Sequence, residues 1–178
     1  MSRVAILIED NYQVLEAWYP YLRLREEGIE TVFVGTGRRE YRSKEGYVAR
    51  QDVSINDIDA DDFDGVIIPG GYAPDLMRRN RRMVEFVRRM HESGKLVAAI
   101  CHAGWMLVSA DIIRGRKVTG FFSIKDDLEN AGARLEDAEV VVDGNILTSR
   151  NPFDLPAFTG AIIAFLKRRN LDPMGDDG

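Results

Sequence analysis

Cysteine and histidine are nearly absent: the chain has one cysteine, Cys101, and two histidines, His91 and His102, in 178 residues. A lone cysteine forms no intrachain disulfide, so an oxidising compartment would add no stability, and the cytoplasm is the expected location. One cysteine with one histidine beside it is also too small a set for a metal site, and no cofactor is expected. No apolar run approaches the roughly 20 residues that span a bilayer. Met1-Ser2-Arg3 runs directly into the short stretch Val4–Ile8, which has neither the length nor the cleavage site of a signal peptide. Positive charge is in deficit, with 24 Lys and Arg against 29 Asp and Glu for a net charge of −5, so the overall field repels phosphate. Neither nucleic acid nor a membrane is expected as a partner. Arg78, Arg79, Arg81, Arg82, Arg88 and Arg89 cluster, but without interleaved aromatics. A solvated or intersubunit face paired with acids such as those of Asp57–Asp64 is the expectation.

What is present is an alternation of strand and helix. Val4–Ile8, Thr31–Val34, Gly65–Ile68 and Lys95–Ile100 are short apolar runs of core-strand type. Leu15–Glu27 carries Leu15, Trp18, Tyr19 and Leu22 at helical spacing, with Pro20 inside and Gly28 in the C-terminal cap position. Arg81–Glu92 places Met83, Val84, Val87 and Met90 on one face, Ala103–Ala110 is a small-residue helix, and Pro156–Arg169 closes the chain. Arg38–Ser54 reads as a hairpin or excursion. Glu139–Thr148 reads as a hairpin around Asp143-Gly144. The pattern predicts a single α/β domain over 1–178, with a mostly parallel sheet covered on both faces and a frayed tail at 172–178. Ligands of such sheets sit beyond the carboxyl ends of the strands, so chemistry is sought in Glu9–Glu16, Pro69–Asp75 and Cys101–Gly104.

The last of these is the most informative. Leu96–Ile100 runs into Cys101-His102 and then into Ala103-Gly104. Hydrolases hold a nucleophile on such a strand-turn-helix, where the flanking residues must be small because the turn is crowded. The amides that open the next helix favour a thiolate and an oxyanion, so a partly exposed, reactive thiolate is expected at neutral pH. A buried inert thiol is the alternative. A sharp turn would bring His102 onto the sulfur. His91, near a helix C-terminus, reads as a surface residue compensating the dipole. Pro69-Gly70-Gly71 allows close backbone approach to a ligand. Asp75 opens a helix as an N-terminal acid. Glu16, if buried near Cys101, would have a raised pKa and could donate a hydrogen bond to the thiolate.

These stretches, together with YPYLRLREEG (19–28), PGGYAPD (69–75), AAICHAG (98–104), IRGRKVT (113–119), IKDDLENAGA (124–133), EVVVDGN (139–145) and TSRNPFDLPAF (148–158), resemble the ThiJ/PfpI superfamily, and most of all its PfpI-type intracellular proteases. The resemblance implies a flavodoxin-like three-layer sandwich. It implies Cys101 as nucleophile, His102 as its base, Asp75 orienting the histidine from a neighbouring subunit, and Glu16 hydrogen-bonded to the cysteine. The amides of Gly71 and His102 would form the oxyanion hole. Tyr72, Trp105 and Phe121 would line the substrate pocket. There are three departures from the family pattern: Asp75 stands where glutamate is usual, Ala103-Gly104 where Gly-Pro is usual, and Gln13 where an acid is frequent. The implied partners are a second copy of the chain, forming at least a dimer, and a peptide or small carbonyl substrate. The implied activity is a cysteine protease or amide hydrolase. The alternatives are a glyoxalase- or deglycase-type enzyme acting on methylglyoxal or its adducts, and a non-enzymatic redox sensor or stress chaperone.

Overall fold

The structure is a computed structural model that describes residues 1–171, so the expected frayed tail lies outside the described residues. Its centre is a seven-stranded sheet. The strands in chain order are β1 (Arg3–Leu7), β2 (Glu30–Gly35), β3 (Glu40–Arg42), β4 (Val48–Arg50), β5 (Val53–Ser54), β6 (Gly65–Ile68), β7 (Leu96–Ile100), β8 (Lys117–Val118), β9 (Arg134–Leu135), β10 (Val141–Asp143) and β11 (Ile146–Ser149). The helices are α1 (Val14–Glu26), α2 (Ala73–Arg78), α3 (Arg81–Glu92), α4 (Gly104–Ala110), α5 (Lys125–Asn130) and α6 (Leu155–Leu171). The main sheet runs β10-β11-β7-β6-β1-β2-β5, parallel throughout except for β10 at its edge. The apolar runs VAIL, GVII and LVAAI are fully buried because strands inside a doubly covered sheet have no solvent face. α1 packs with α6, while α2, α3 and α4 pack on one another.

Strand order determines where a site can be. From β1 the chain winds outward to β2 and β5, then returns to β6 and winds the other way through β7 and β11. The reversal lies between β1 and β6, and connections that diverge there leave a crevice at the strands' carboxyl ends. The three stretches singled out in the sequence follow β1, β6 and β7, which are neighbours in that order.

Several expectations change. The helical spacing of Leu15, Tyr19 and Leu22 is real, but these side chains face outward, with Leu15 52% and Leu22 58% exposed. α1 turns Glu16, Ala17, Pro20 and Leu24 inward instead. Trp18 alone of that set packs inward, edge-on to Phe33, Tyr21 and Tyr47. The hairpin turn of β10–β11 is centred on Gly144 and Asn145, since Asp143 pairs with Ile146. His91 is not a cation: burial and the nearby Arg116 hold its pKa below the ordinary value. Part of the arginine cluster is bound within the chain, in one case to an acid of the expected segment. Arg89 reaches Asp59 (2.7 Å), Arg88 the Ala110 carbonyl (2.9 Å) and Arg78 the Ser109 hydroxyl (2.8 Å). Among the described residues, no helix is long and apolar enough to cross a membrane.

Candidate active site

β7 ends at Ile100, and Cys101 follows with φ 61°, in the left-handed region. An L-residue with a side chain occupies that region at a cost of about 1–2 kcal/mol. The strain is maintained by a tight 3-10 turn over Cys101–Ala103 that leads into α4. Crowding explains the small residues. A Cβ on Gly104 would lie 2.9 Å from Leu128, and one on Gly70 would lie 2.8 Å from the Cys101 Cβ and 2.6 Å from Glu16 Oε1. The Cys101 side chain and the Glu16 carboxyl thus both crowd the place where Gly70 has no side chain. Gly71 has φ 76°, and a Cβ there would collide with the Asn11 carbonyl and the Gln13 amide.

Glu16 is a fully buried acid. Gln13 caps α1, its side-chain oxygen accepting from the Glu16 amide at 2.9 Å, which fixes the helix start and aims Glu16 at the crevice. This is the local role of the residue that replaces the more frequent acid. Glu16 Oε1 accepts from the Gly70 amide at 2.9 Å, whereas Oε2 is buried without a hydrogen-bond partner. Burial pushes the Glu16 pKa up to about 8, against the pull of the Gly70 amide and the positive charge of Lys44. At neutral pH the carboxyl is therefore protonated and has a proton to offer from its inner oxygen.

The expected partly exposed thiolate is corrected. Cys101 is only 7% exposed, and burial first, then the charge of Glu16, push its thiol up to about 12. The amides of His102 and Gly71 favour the thiolate but are outweighed. α4 begins only at Gly104, three residues past the sulfur. Below about pH 8 protonated Glu16 no longer repels a thiolate, and it becomes a donor to one. The resting site is a neutral thiol beside a neutral acid, and ionising the thiol requires a base close to the sulfur.

A candidate for that base lies within reach of the sulfur. His102 Nδ1 lies 3.2 Å from the Cys101 sulfur. Burial lowers the histidine pKa, as does Lys44, so the ring is neutral at pH 7 and able to accept. Its ring stacks on Phe121 (centroids 4.7 Å) and meets Trp105 edge-on (5.2 Å). Trp105 is anchored by Asp127 at 2.9 Å. Two of the three predicted pocket residues therefore wall the histidine. Tyr72 is half exposed beside Gly71, and its ring makes no aromatic contact among the described residues. Asp75 does not touch His102 within the chain; it pairs with Arg79 one turn along α2. Two residues escaped the sequence reading. Ser123 Oγ sits 3.2 Å from His102 Nε2, at a position 21 residues away with no motif to mark it. Lys44, on the β3–β4 hairpin, acts electrostatically on Glu16, Cys101 and His102 alike.

A thiol on a strained turn at the switch point of a flavodoxin-like sheet, with a histidine and a protonated acid against it, is the arrangement of an α/β protein built around a cysteine nucleophile. The chain belongs to the DJ-1/PfpI family, whose profile matches residues 2–165. It is 42% identical over 165 residues to a Thermococcus kodakarensis protein named a deglycase, covering 93% of this chain and 99% of that one. It is 39% identical to the Pyrococcus furiosus protein named deglycase PfpI, with the same coverage. Among solved structures, a two-domain protein from Anabaena variabilis with DJ-1/ThiJ/PfpI-like and ferritin-like domains matches at TM-score 0.92 and 44% identity, over 94% of this chain and 48% of that one.

Proposed function

We propose that the protein is a PfpI-type enzyme in which the Cys101 sulfur attacks the carbonyl carbon of an amide or of a carbonyl adduct. The 3.2 Å approach of His102 Nδ1 to the sulfur carries this reading. His102 takes the thiol proton, the sulfur–carbon bond forms, and the carbonyl π pair moves to oxygen, where the Gly71 and His102 amides receive it. With an amide, collapse breaks the carbon–nitrogen bond and expels the amine, which takes the proton back from His102, leaving a thioester. Water then hydrolyses the thioester and frees the acid. Glu16 donates to the sulfur while it carries charge.

A second reading, action on methylglyoxal or its adducts, draws support from the 7% exposure of Cys101, which suits a small carbonyl compound better than a folded protein. The deglycase names of relatives point the same way. Both readings share the addition step. Consumption of methylglyoxal and hydrolysis of a small peptide amide, each with the Cys101→Ser control, test them. Absence of turnover in both would leave the redox-sensor or chaperone role. A cytoplasmic setting is proposed on the unpaired cysteine.

A homo-oligomer belongs to this proposal. The outward apolar stripe of α1 supports contact with a second copy, and Asp75 of that copy would share the His102 Nε2 hydrogen with Ser123. Asp75→Ala is expected to lower kcat/KM by about tenfold or more, with thermal stability unchanged, because the Asp75–Arg79 pair is a surface contact of small worth. Ser123→Ala is expected to cost a few-fold and to shift the pH–rate profile, with Ser123→Thr restoring it. Steady-state kinetics beside light scattering checks both; unchanged activity in Asp75→Ala would remove the carboxylate from the constellation.

A further inference from the structure

The segment that follows β8 touches His102 three ways. The Phe121 ring stacks on the imidazole (centroids 4.7 Å), and Ser123 Oγ meets its Nε2 (3.2 Å). Asp127 accepts from the indole of Trp105 (2.9 Å), which lies edge-on to the histidine. The same segment lines a cavity of about 470 Å³, completed by residues 135–137 and by Arg150-Asn151 after β11. That size is ordinary for a small-molecule site. Neither Cys101, His102, Glu16 nor Gly71 lines it, so it is distinct from the thiol crevice. It meets the thiol turn through Phe121, whose amide donates to the Cys101 carbonyl (3.2 Å).

The lining defines what fits. Phe121, Phe122, Leu128 and Leu135 make the walls apolar, and Phe122 leaves 76% of its surface uncovered. Gly120 keeps the space open, since a Cβ there would lie 3.1 Å from Leu128. The acids of the lining are already engaged. Asp137 pairs with Arg150 (2.8 Å), which Asp154 also holds (2.9 Å), and Glu136 lies 3.5 Å from Lys117. Lys125 lines the cavity and forms no ion pair among the described residues. The side-chain oxygen of Asn151 accepts from the Phe153 amide (3.0 Å), so its NH2 group remains a donor. The uncommitted polar groups are therefore a cation and a neutral donor, set among apolar walls.

We propose that this cavity binds a small carboxylic acid with an apolar body, aromatic or branched aliphatic, and that its occupancy is transmitted to His102 through Phe121. The carboxylate pairs with Lys125 and accepts from Asn151, while the body covers Phe122 and Leu135. One uncommitted ammonium matches one negative charge; a phosphate dianion would meet Glu136 and Asp137 without enough donors to offset them. A ligand against Phe121 restrains the ring that holds His102 at the sulfur. The site goes beyond the thiol chemistry above, and binding requires none of it.

Calorimetric titration with phenylacetate, phenylacetamide and acetate tests the site. Phenylacetate is expected to bind at least about tenfold more tightly than either its uncharged amide or acetate, which lacks the ring. Its affinity should fall about tenfold in Lys125→Gln, hold in Lys125→Arg, fall in Phe122→Ser, and persist in Cys101→Ala. Equal affinity for phenylacetate and phenylacetamide overturns the proposal, as does equal affinity in wild type and Lys125→Gln. Loss of binding in Cys101→Ala would place the ligand in the thiol crevice and also overturns it. So does a smaller mass by light scattering in Phe122→Ser with phenylacetate affinity unaltered, which would mean that a second copy covers the cavity. Saturating phenylacetate should raise the rate of Cys101 alkylation by iodoacetamide about fivefold in wild type and leave it unchanged in Lys125→Gln. An unchanged wild-type rate overturns the coupling to His102. None of these readouts needs turnover, so their failure is distinct from failure of the thiol-addition reading.

Discussion

Cys101→Ala is expected to reduce turnover on both the amide and the dicarbonyl substrate to background, a loss of at least about a thousandfold. No other described side chain can replace the sulfur, because Cys101 is the one cysteine and the turn that holds it sits over Gly70 and the Gly71 amide. Cys101→Ser should be equally silent: its hydroxyl keeps the backbone and the hydrogen-bond reach, but a neutral His102 with a lowered pKa is too weak a base for an alcohol with no strongly placed carboxylate in the same subunit. Stability should barely respond. The left-handed backbone at 101 persists in both variants, and alanine removes one sulfur from a tight site without introducing a polar group. Thermal midpoints within a few degrees of wild type are expected. Progress curves with each substrate, alongside calorimetry, check this. Retention of a tenth of the wild-type rate would show that the chemistry lies elsewhere.

Glu16 carries the second large effect, and it appears in both activity and stability. Glu16→Leu removes the proton donor behind the sulfur and should lower turnover by about a hundredfold. Glu16→Gln keeps a donor but no longer titrates. The folded carboxyl titrates near 8 against an ordinary value of 4.5, so below 4.5 both folded and unfolded chains hold the proton. Between those values only the folded chain holds it. The stability this group contributes is therefore complete at low pH and is lost as pH rises through the folded pKa, by up to about 1.4 kcal/mol per pH unit. His91 and His102 have the opposite sign: their pKa values are lowered on folding, so they add stability as pH rises through the ordinary histidine range. The difference between wild type and Glu16→Gln cancels them. Urea midpoints measured from about pH 5 to about pH 8 should fall in wild type relative to Glu16→Gln. Parallel profiles would mean that the buried acid is ionised in the folded chain.

Much of this site was legible in order along the chain. The apolar runs before Glu9, Pro69 and Cys101 are core strands because only strands covered on both faces are apolar at every position, and ligand-facing residues follow such strands. Small residues around Cys101 signalled a crowded turn, and the structure places a left-handed φ there. Period alone did not give direction. Leu15, Tyr19 and Leu22 have the spacing of a buried stripe, yet α1 is rolled so that Glu16 points inward, because its cap on Gln13 and the Gly70 amide fix the rotation. The short strands β5 and β9 passed unseen, since two residues carry no period.

The chain by itself determined the fold class and pointed to Cys101 and Glu16, because core strands follow from local pattern and ligand-facing residues from where parallel strands end. Only the tertiary structure decided that the thiol is largely buried, that burial shifts its acid toward the protonated form, and that Ser123 touches His102 while Lys44 acts on the site through its charge. Ionisation depends on how much water surrounds a group and on which charges lie across space. The β3–β4 hairpin, folded back over residues some 30 positions earlier, brings one such charge, that of Lys44, without leaving any mark on the local sequence.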